Sequence, residues 1–328
     1  MLKNKTALVT GGAGFVGSHL AEALAEKGVN VRVLDNFDRG RIEYLNEARK
    51  RGSVEVISGD VRDKHKVEEV MKGVDFVFHE AAVCLNKSVK FPEEAIDVNV
   101  WGTTNVVRAA VKENVEKFLF ASSASVYGNP RTIPMTEDHG FYPESPYCVS
   151  KIAGEYFIKI HAKNMDYSRI QHQEKPLDYS IFRYFNIYGL RQPTDAYYTS
   201  VILSFIKKFD KNEKPVIHGD GTQTMDFVHV RDIVQANLLA LENPQATGET
   251  FNVASGTETS INDIVCILNE IFGTDIKPEY KTEVAIYVKR RLASIDNARE
   301  KLGFTPSIAL KDGLKEIVDD YKAHPELY

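Results

Sequence analysis

Thr6-Ala7-Leu8-Val9-Thr10-Gly11-Gly12-Ala13-Gly14-Phe15-Val16-Gly17-Ser18 is the stretch that decides the fold. Ala7-Leu8-Val9 reads as a buried strand, and Gly17 to Lys27 as a helix ending at Gly28. Between them, Gly11, Gly14 and Gly17 meet three separate needs. A tight turn needs a free φ, a diphosphate needs backbone with no side chain in front of it, and the helix must pack closely on the strand. The helix N-terminus then offers N–H groups and the positive end of its dipole to phosphate. A glycine triplet alone marks only a turn. The flanking strand and helix make this one a nucleotide turn, framed by Gly11, Gly14, Phe15, Val16 and Gly17.

Outward from the turn, Val29 to Leu34 is the next strand and Asp35 ends it. A carboxylate there accepts hydrogen bonds from both adenosine ribose hydroxyls and repels a 2′-phosphate, which favours NAD over NADP. Arg39 and Arg41 nearby keep NADP open, and Asp60-Val61, after a third strand at Val54 to Ile57, is placed to meet the adenine edge. A short helix at Val67 to Met71, a strand at Asp75 to His79, a long helix at Ala95 to Glu113 and a strand at Lys117 to Ala121 continue the β-α-β rhythm. Apolar strands in that rhythm predict an α/β fold: a Rossmann-like, doubly wound parallel sheet with helices on both faces.

A helix at Ser150 to Ala162 follows, then a polar stretch from Lys163 to Pro176 that reads as a loop or insertion, then a strand at Tyr179 to Arg183. After Asn186 the pattern turns irregular, with helices at Ser200 to Lys208, Val230 to Glu242, Ile261 to Phe272, Ile295 to Leu302 and Leu310 to Tyr321. At 328 residues the chain is long for one core. The expected division is a dinucleotide-binding domain over 1–186, to which the chain returns at about 228–254, and a smaller C-terminal α/β substrate-binding domain over 187–227 and 255–328.

Composition narrows the partners. Hydrophobic residues make up 43% and charged residues 27%, the balance of a soluble globular protein. A net charge of -5 and a pI of about 6.0 give no general attraction to nucleic acid or acidic membranes. The 3 cysteines, Cys84, Cys148 and Cys266, fit a reducing compartment better than a disulfide framework. Met1 to Thr6 is polar and leads directly into a strand, and no apolar run approaches the roughly 20 residues that span a bilayer. A cytoplasmic protein is expected. The histidines and Cys84 show no metal-ligand spacing, and no metal is assigned.

The chemistry is carried further along. Phe120-Ala121-Ser122-Ser123-Ala124-Ser125-Val126-Tyr127-Gly128 closes a strand with hydroxyls at its carboxyl end, the edge at which open α/β sheets bind ligands. Tyr147-Cys148-Val149-Ser150-Lys151 opens a helix, and positions i and i+4 share a face. An ammonium beside a phenol favours phenolate, lowering a pKa that starts near ~10 toward the range of a general base. Tyr-x-x-x-Lys alone is common on helix surfaces; downstream of a serine-rich strand end and a nucleotide turn it gains meaning.

These motifs, with His79-Glu80-Ala81-Ala82, Arg183-Tyr184-Phe185-Asn186-Ile187-Tyr188-Gly189, Gly219-Asp220-Gly221, Asp226-Phe227-Val228 and Ala298 to Phe304, resemble the extended short-chain dehydrogenases/reductases of the NAD-dependent epimerase/dehydratase family over almost the whole chain. The nearest type is the 4-epimerase of UDP-glucose and UDP-galactose. The resemblance implies Tyr147 as base, Lys151 as its partner and holder of the nicotinamide ribose, and Ser123 as the group that orients the sugar hydroxyl. It adds Asn36, Ala81, Ala82, Asn99 and Ser122 around NAD, with Asn99 structural or water-holding. Ser125 becomes a second sugar contact, and Asn186 a diphosphate contact. The implied reaction oxidises carbon 4 of a UDP-hexose, lets the 4-keto sugar turn about its diphosphate, and returns the hydride to the opposite face. Ala124 and Ser125 stand where the 4,6-dehydratases of the family carry an Asp-Glu pair, which weighs toward epimerisation and against dehydration.

Two departures concern the substrate. Met225 stands where the family commonly grips the diphosphate with an Arg, and Thr282 to Tyr287 replaces a later Arg-Pro-Gly-Asp segment. Arg191, Lys289, Arg290 and Arg291 are the replacements on offer, since guanidinium groups suit phosphate. Arg291 also lies near the position that limits sugar size, which admits a sugar with an acidic substituent. His218 falls where the family places an aromatic under the nucleotide base. Helices 95–113 and 150–162 carry apolar stripes, including Ile96, Val100, Val107, Ala110, Ile152 and Tyr156; in this family two such helices per subunit form a homodimer interface.

Overall fold

The structure, a computed structural model, describes residues 2–162, 176–193, 200–282 and 289–327. The N-terminal strand lies near the middle of a seven-stranded sheet. In chain order the strands are β1 (Thr6–Thr10), β2 (Asn30–Asp35), β3 (Val54–Ser58), β4 (Phe76–His79), β5 (Lys117–Ser123), β6 (Tyr179–Tyr184), β7 (Asn186–Tyr188), β8 (Val216–His218), β9 (Thr224–His229), β10 (Glu249–Val253), β11 (Glu258–Ser260) and β12 (Glu279–Lys281). The large sheet runs β10-β6-β5-β4-β1-β2-β3, parallel at every pairing. From β1 the chain winds outward to β3, then returns to β1 and builds the other half from β4. The order therefore reverses between β1 and β4.

Both faces are apolar because strand residues alternate sides. Val9, Val33 and Phe78 point to one face, where Leu20 and Leu24 of helix Phe15–Glu26 and Ile233 of helix Val230–Glu242 cover them. Leu8, Val77 and Phe120 point to the other, under Val67, Val107 and Ile158. The continuous apolar strands read from the sequence are thus buried on two sides, as a doubly wound sheet requires.

The remainder forms a second, smaller assembly. β11, β9 and β7 make a three-stranded sheet and β12 pairs with β8. Phe205, Phe209, Ile264, Leu268 and Ile317, from helices Ser200–Asp210, Ile261–Phe272 and Leu310–Ala323, pack with Ile217, Met225 and Phe227. Between β9 and β11 the chain re-enters the large sheet as β10, beside β6.

Several elements differ from the sequence reading. The helix expected over 95–113 is α-helical at Pro92–Ala95, π-helical over Ile96–Gly102 and α-helical again over Thr103–Lys112. The helix expected from Ser150 begins at Pro146, where proline needs no N–H partner, and the Ser145 hydroxyl accepts the Cys148 N–H at 3.3 Å. Helices Asn46–Arg51 and Leu85–Lys90 were too short to show a period. The polar stretch at 163–175 lies outside the described residues. Among the described residues no helix is long and apolar enough to cross a membrane.

Candidate active site

A cavity of about 770 Å³ opens at the carboxyl ends of the strands, where β1 and β4 part. Its first half is the glycine turn. Gly11 has φ +67°, and a Cβ there would stand 2.8 Å from the Ala81 amide nitrogen; a Cβ on Gly17 would stand 2.3 Å from the Gly11 carbonyl oxygen. Only glycine fits both places. No side chain caps the helix that starts at Phe15, so its first N–H groups remain open to a ligand.

Asp35 sits beside this turn, nearly buried, each oxygen already accepting a backbone N–H: Ala13 at 2.9 Å and Phe37 at 2.8 Å. Burial raises its pKa, and those two hydrogen bonds oppose the shift. Each carboxylate oxygen keeps a second lone pair for a ribose hydroxyl. Asn36 donates to Asp60 at 2.9 Å, and Arg62 holds Asp60 through a bidentate contact that lowers it to about 2. Gly14, Phe15, Val16, Val61, Ala81 and Ala82 complete the wall, with Arg39 and Arg41 at its rim. A cradle that any Cβ would fill, an open helix end and a fixed carboxylate suit a dinucleotide diphosphate and its adenosine ribose.

The second half of the cavity brings Ser123, Tyr147 and Lys151 together. Ser123 ends β5 and accepts the Ser125 N–H at 3.2 Å, and its hydroxyl shares the cavity wall with the Tyr147 phenol, whose ionisation it eases. Lys151 is buried, donates to the Ala121 carbonyl at 2.7 Å, and lies 5.1 Å from the Phe120 ring centre and 5.8 Å from that of Tyr147. Burial lowers its pKa to about 8. Lys151 is expected to draw Tyr147 toward phenolate; in the protein alone burial works against that pull and holds Tyr147 above its ordinary value, and the nearby Ser123 hydroxyl offsets this only in part.

Behind these groups lies a buried polar network. Arg183 grips Glu155 through contacts of 2.9 and 2.8 Å, Ser122 donates to Glu155 at 2.6 Å, and Arg183 reaches the Tyr127 hydroxyl at 2.9 Å. The Ser122 hydroxyl is thus turned to Glu155. Asn99 is not in the cavity wall. Its side chain accepts the Val83 N–H at 2.7 Å and donates to the Val83 carbonyl at 3.1 Å and the Ser150 hydroxyl at 2.9 Å, joining the loop after β4 to the Tyr147 helix. Glu80, to which the sequence reading gave no role, lines the cavity and accepts from the Tyr184 hydroxyl at 3.1 Å. Burial raises it to about 7. A charged residue directly after a buried strand, at the carboxyl edge of a parallel sheet, was the available signal.

The substrate candidates divide. Ser125, Asn186, Arg191 and Arg291 line the cavity, and among the described residues the buried Ser125 hydroxyl finds no hydrogen-bond partner. Asn186 donates to the Asp226 carbonyl at 3.1 Å, and Arg191 pairs with Glu22 at 2.8 Å. His218 and Arg290 stand elsewhere. His218 is exposed on β8, and Arg290 is exposed and held by both oxygens of Glu258 at 2.7 Å. Lys289 is exposed as well, Met225 belongs to the core of the smaller assembly, and residues 283–288 lie outside the described residues.

A parallel sheet with a glycine turn at its switch point, and a serine, tyrosine and lysine facing that turn, defines a dinucleotide-dependent short-chain dehydrogenase/reductase. More narrowly, the chain belongs to the NAD-dependent epimerase/dehydratase family, whose sequence model matches residues 7–254. It is 39% identical over 315 residues to a putative UDP-glucose 4-epimerase of Methanocaldococcus jannaschii, covering 95% of this chain and 97% of that one. Its structure is similar to a UDP-N-acetylglucosamine 4-epimerase from Methanobrevibacter ruminantium in complex with UDP-N-acetylmuramic acid, with TM-score 0.88, 33% identity and coverage of 98% and 99%. It is similar also to a UDP-glucose 4-epimerase with UDP-glucose from Thermotoga maritima, with TM-score 0.86, 32% identity and coverage of 98% and 99%.

Proposed function

We propose that this chain is an NAD-dependent 4-epimerase of a UDP-activated hexose. The observation that carries the reading is the convergence of Ser123, Tyr147 and Lys151 in one cavity, with Ala124 buried in the core and Ser125 presenting a hydroxyl rather than an acid. A dehydration across carbons 5 and 6 needs an acid and a base that these two positions lack. Decarboxylase-type chemistry is disfavoured on the same ground.

NAD, when bound, accepts the hydride of carbon 4 and gives it back, so no net oxidant is consumed. The glycine turn and Asp35 hold it. Tyr147 acts as the phenolate, whose charge the Lys151 ammonium supports; it takes the proton of the 4-hydroxyl, which Ser123 orients, becomes the neutral phenol, and returns that proton after the sugar has turned. Ser125 contacts the sugar, and Asn186, Arg191 and Arg291 serve the diphosphate and sugar end. For Arg191 this means sharing its guanidinium with Glu22. The domain division set out from the sequence goes with this reading: a lobe for NAD and a smaller lobe for the sugar nucleotide. The apolar residues exposed on the helices around Trp101 and Tyr156 support a homodimer, and a cytoplasmic location agrees with the cysteine usage.

A second reading within the same reaction is a sugar bearing an acidic substituent, favoured by the buried Arg291 in the cavity wall. The test for both is incubation of the purified protein, without added NAD, with UDP-glucose, UDP-N-acetylglucosamine and UDP-glucuronate. Conversion to the carbon 4 epimer is expected. Loss of water or of carbon dioxide instead would overturn the proposal. Tyr147→Phe should abolish turnover and keep NAD bound; persisting activity would mean the base is misassigned.

A further inference from the structure

Lys151 has almost no exposed surface, and a buried ammonium keeps its charge only where anionic groups face it. Two carboxylates act on it. Glu155, one helical turn further along, is already matched: Arg183 holds both its oxygens and Lys159 lies 3.8 Å away. Glu80 is differently placed. It follows β4 at the switch point and lines the cavity together with Lys151. Its Oε1 accepts from the Tyr184 hydroxyl at 3.1 Å, and that hydroxyl accepts from Asn237 at 2.8 Å. Both partners are neutral, so they aim the carboxylate without cancelling its charge. The other titratable groups nearby do not supply a competing anion in the protein alone: burial lowers His79 to about 3 and raises the Tyr147 phenol.

From this arrangement we infer that Glu80 is a positioning residue, the counter-charge that keeps Lys151 cationic, aimed by the chain Asn237–Tyr184–Glu80. The pH behaviour agrees in sign. Burial raises Glu80 and lowers Lys151, and the charge of each opposes that shift in the other. Without the carboxylate, Lys151 discharges at lower pH. The effect on turnover rests on the proposed partnership of Lys151 with Tyr147, so the decisive measurement reads the ammonium itself.

In protein freed of dinucleotide, trace acetylation across a pH series, followed by mass spectrometry of the peptide carrying Lys151, gives its ionisation midpoint. Glu80→Gln should lower that midpoint by about one pH unit or more, and Glu80→Asp should fall between it and the parent. Tyr184→Phe, which removes the aiming hydroxyl, should lower it by less. The basic limb of the kcat profile should move with the midpoint, with KM for the sugar nucleotide changing less. Coincident midpoints in Glu80→Gln and the parent, both folded by circular dichroism, would overturn the inference. A parent without epimerase activity would sink the functional reading and leave this titration intact.

Discussion

The hydroxyl of Ser123 accepts the Ser125 N–H and lines the cavity beside Tyr147, where the proposed reaction needs it to orient the sugar hydroxyl. Ser123→Ala should therefore lower kcat by about a hundredfold or more, since proton transfer loses its alignment, with little change in NAD content. Single-turnover kinetics beside dinucleotide extraction will check this. Behind it, Arg183 and Glu155 show how a buried ion pair depends on both partners. Arg183→Met leaves Glu155 charged with Ser122 and the more distant Lys159, and should cost roughly 3–5 kcal/mol in denaturant unfolding at neutral pH. Glycines, Asp35, Ser123, Tyr147 and Lys151 were legible in the sequence because their spacing is itself the chemistry. Arg183, Glu155 and Glu80 were not, because their roles depend on which charges the fold buries together, and strand and helix patterns carry no such information. His218, placed by the resemblance, and Arg290, offered as a replacement cation, both lie outside the cavity, since neither ground says where the fold carries a side chain or that Glu258 holds Arg290.

Among the elements, helices Val230–Glu242 and Ile261–Phe272 matched the sequence reading residue for residue because their ends are marked. His229 caps the first, and the second has a Ser260–Asp263 capping box and a left-handed Gly273 at its end. The π-helical stretch Ile96–Gly102 was read simply as helix, since an apolar stripe does not reveal how many residues make a turn. Its purpose is visible in Asn99, which fastens Val83 and Ser150. Asn99→Leu would orphan the Val83 N–H, a loss of about 1–3 kcal/mol, and loosen the Tyr147 helix. A fall in the melting temperature together with a lower kcat is the expected result; an unchanged kcat would limit Asn99 to a stabilising role. In the glycine turn, Gly17→Ala would force the helix off the turn, and the protein should then be isolated without NAD, as its absorbance spectrum will show.

For the molecule as a whole, the proposed dimer makes a direct prediction. Ile96 is 57% exposed, Trp101 55% and Tyr156 53%, on neighbouring helices that bury their other sides, whereas Val107 and Ala110 of the same stripe are fully buried. Pairing with a second copy would cover these residues. Trp101→Glu combined with Tyr156→Lys should give monomers in sedimentation. Trp101 is the single tryptophan of the chain, so the emission of the parent protein should report dissociation on dilution.

The return of the chain to the large sheet has a consequence for its birth on the ribosome. β6, with Ile181 and Phe182 wholly buried in the finished protein, has no outer neighbour until β10 has been made, after the intervening strands and helices have emerged. At roughly 5–20 residues per second, that leaves a bare, apolar strand edge open for some seconds. A chain stopped shortly after β7 would keep that edge for good and should aggregate, although it holds every residue of the glycine turn and the Ser123–Tyr147–Lys151 set. The nascent chain thus passes through a vulnerable interval, and helper proteins that shield exposed strands would find their target there.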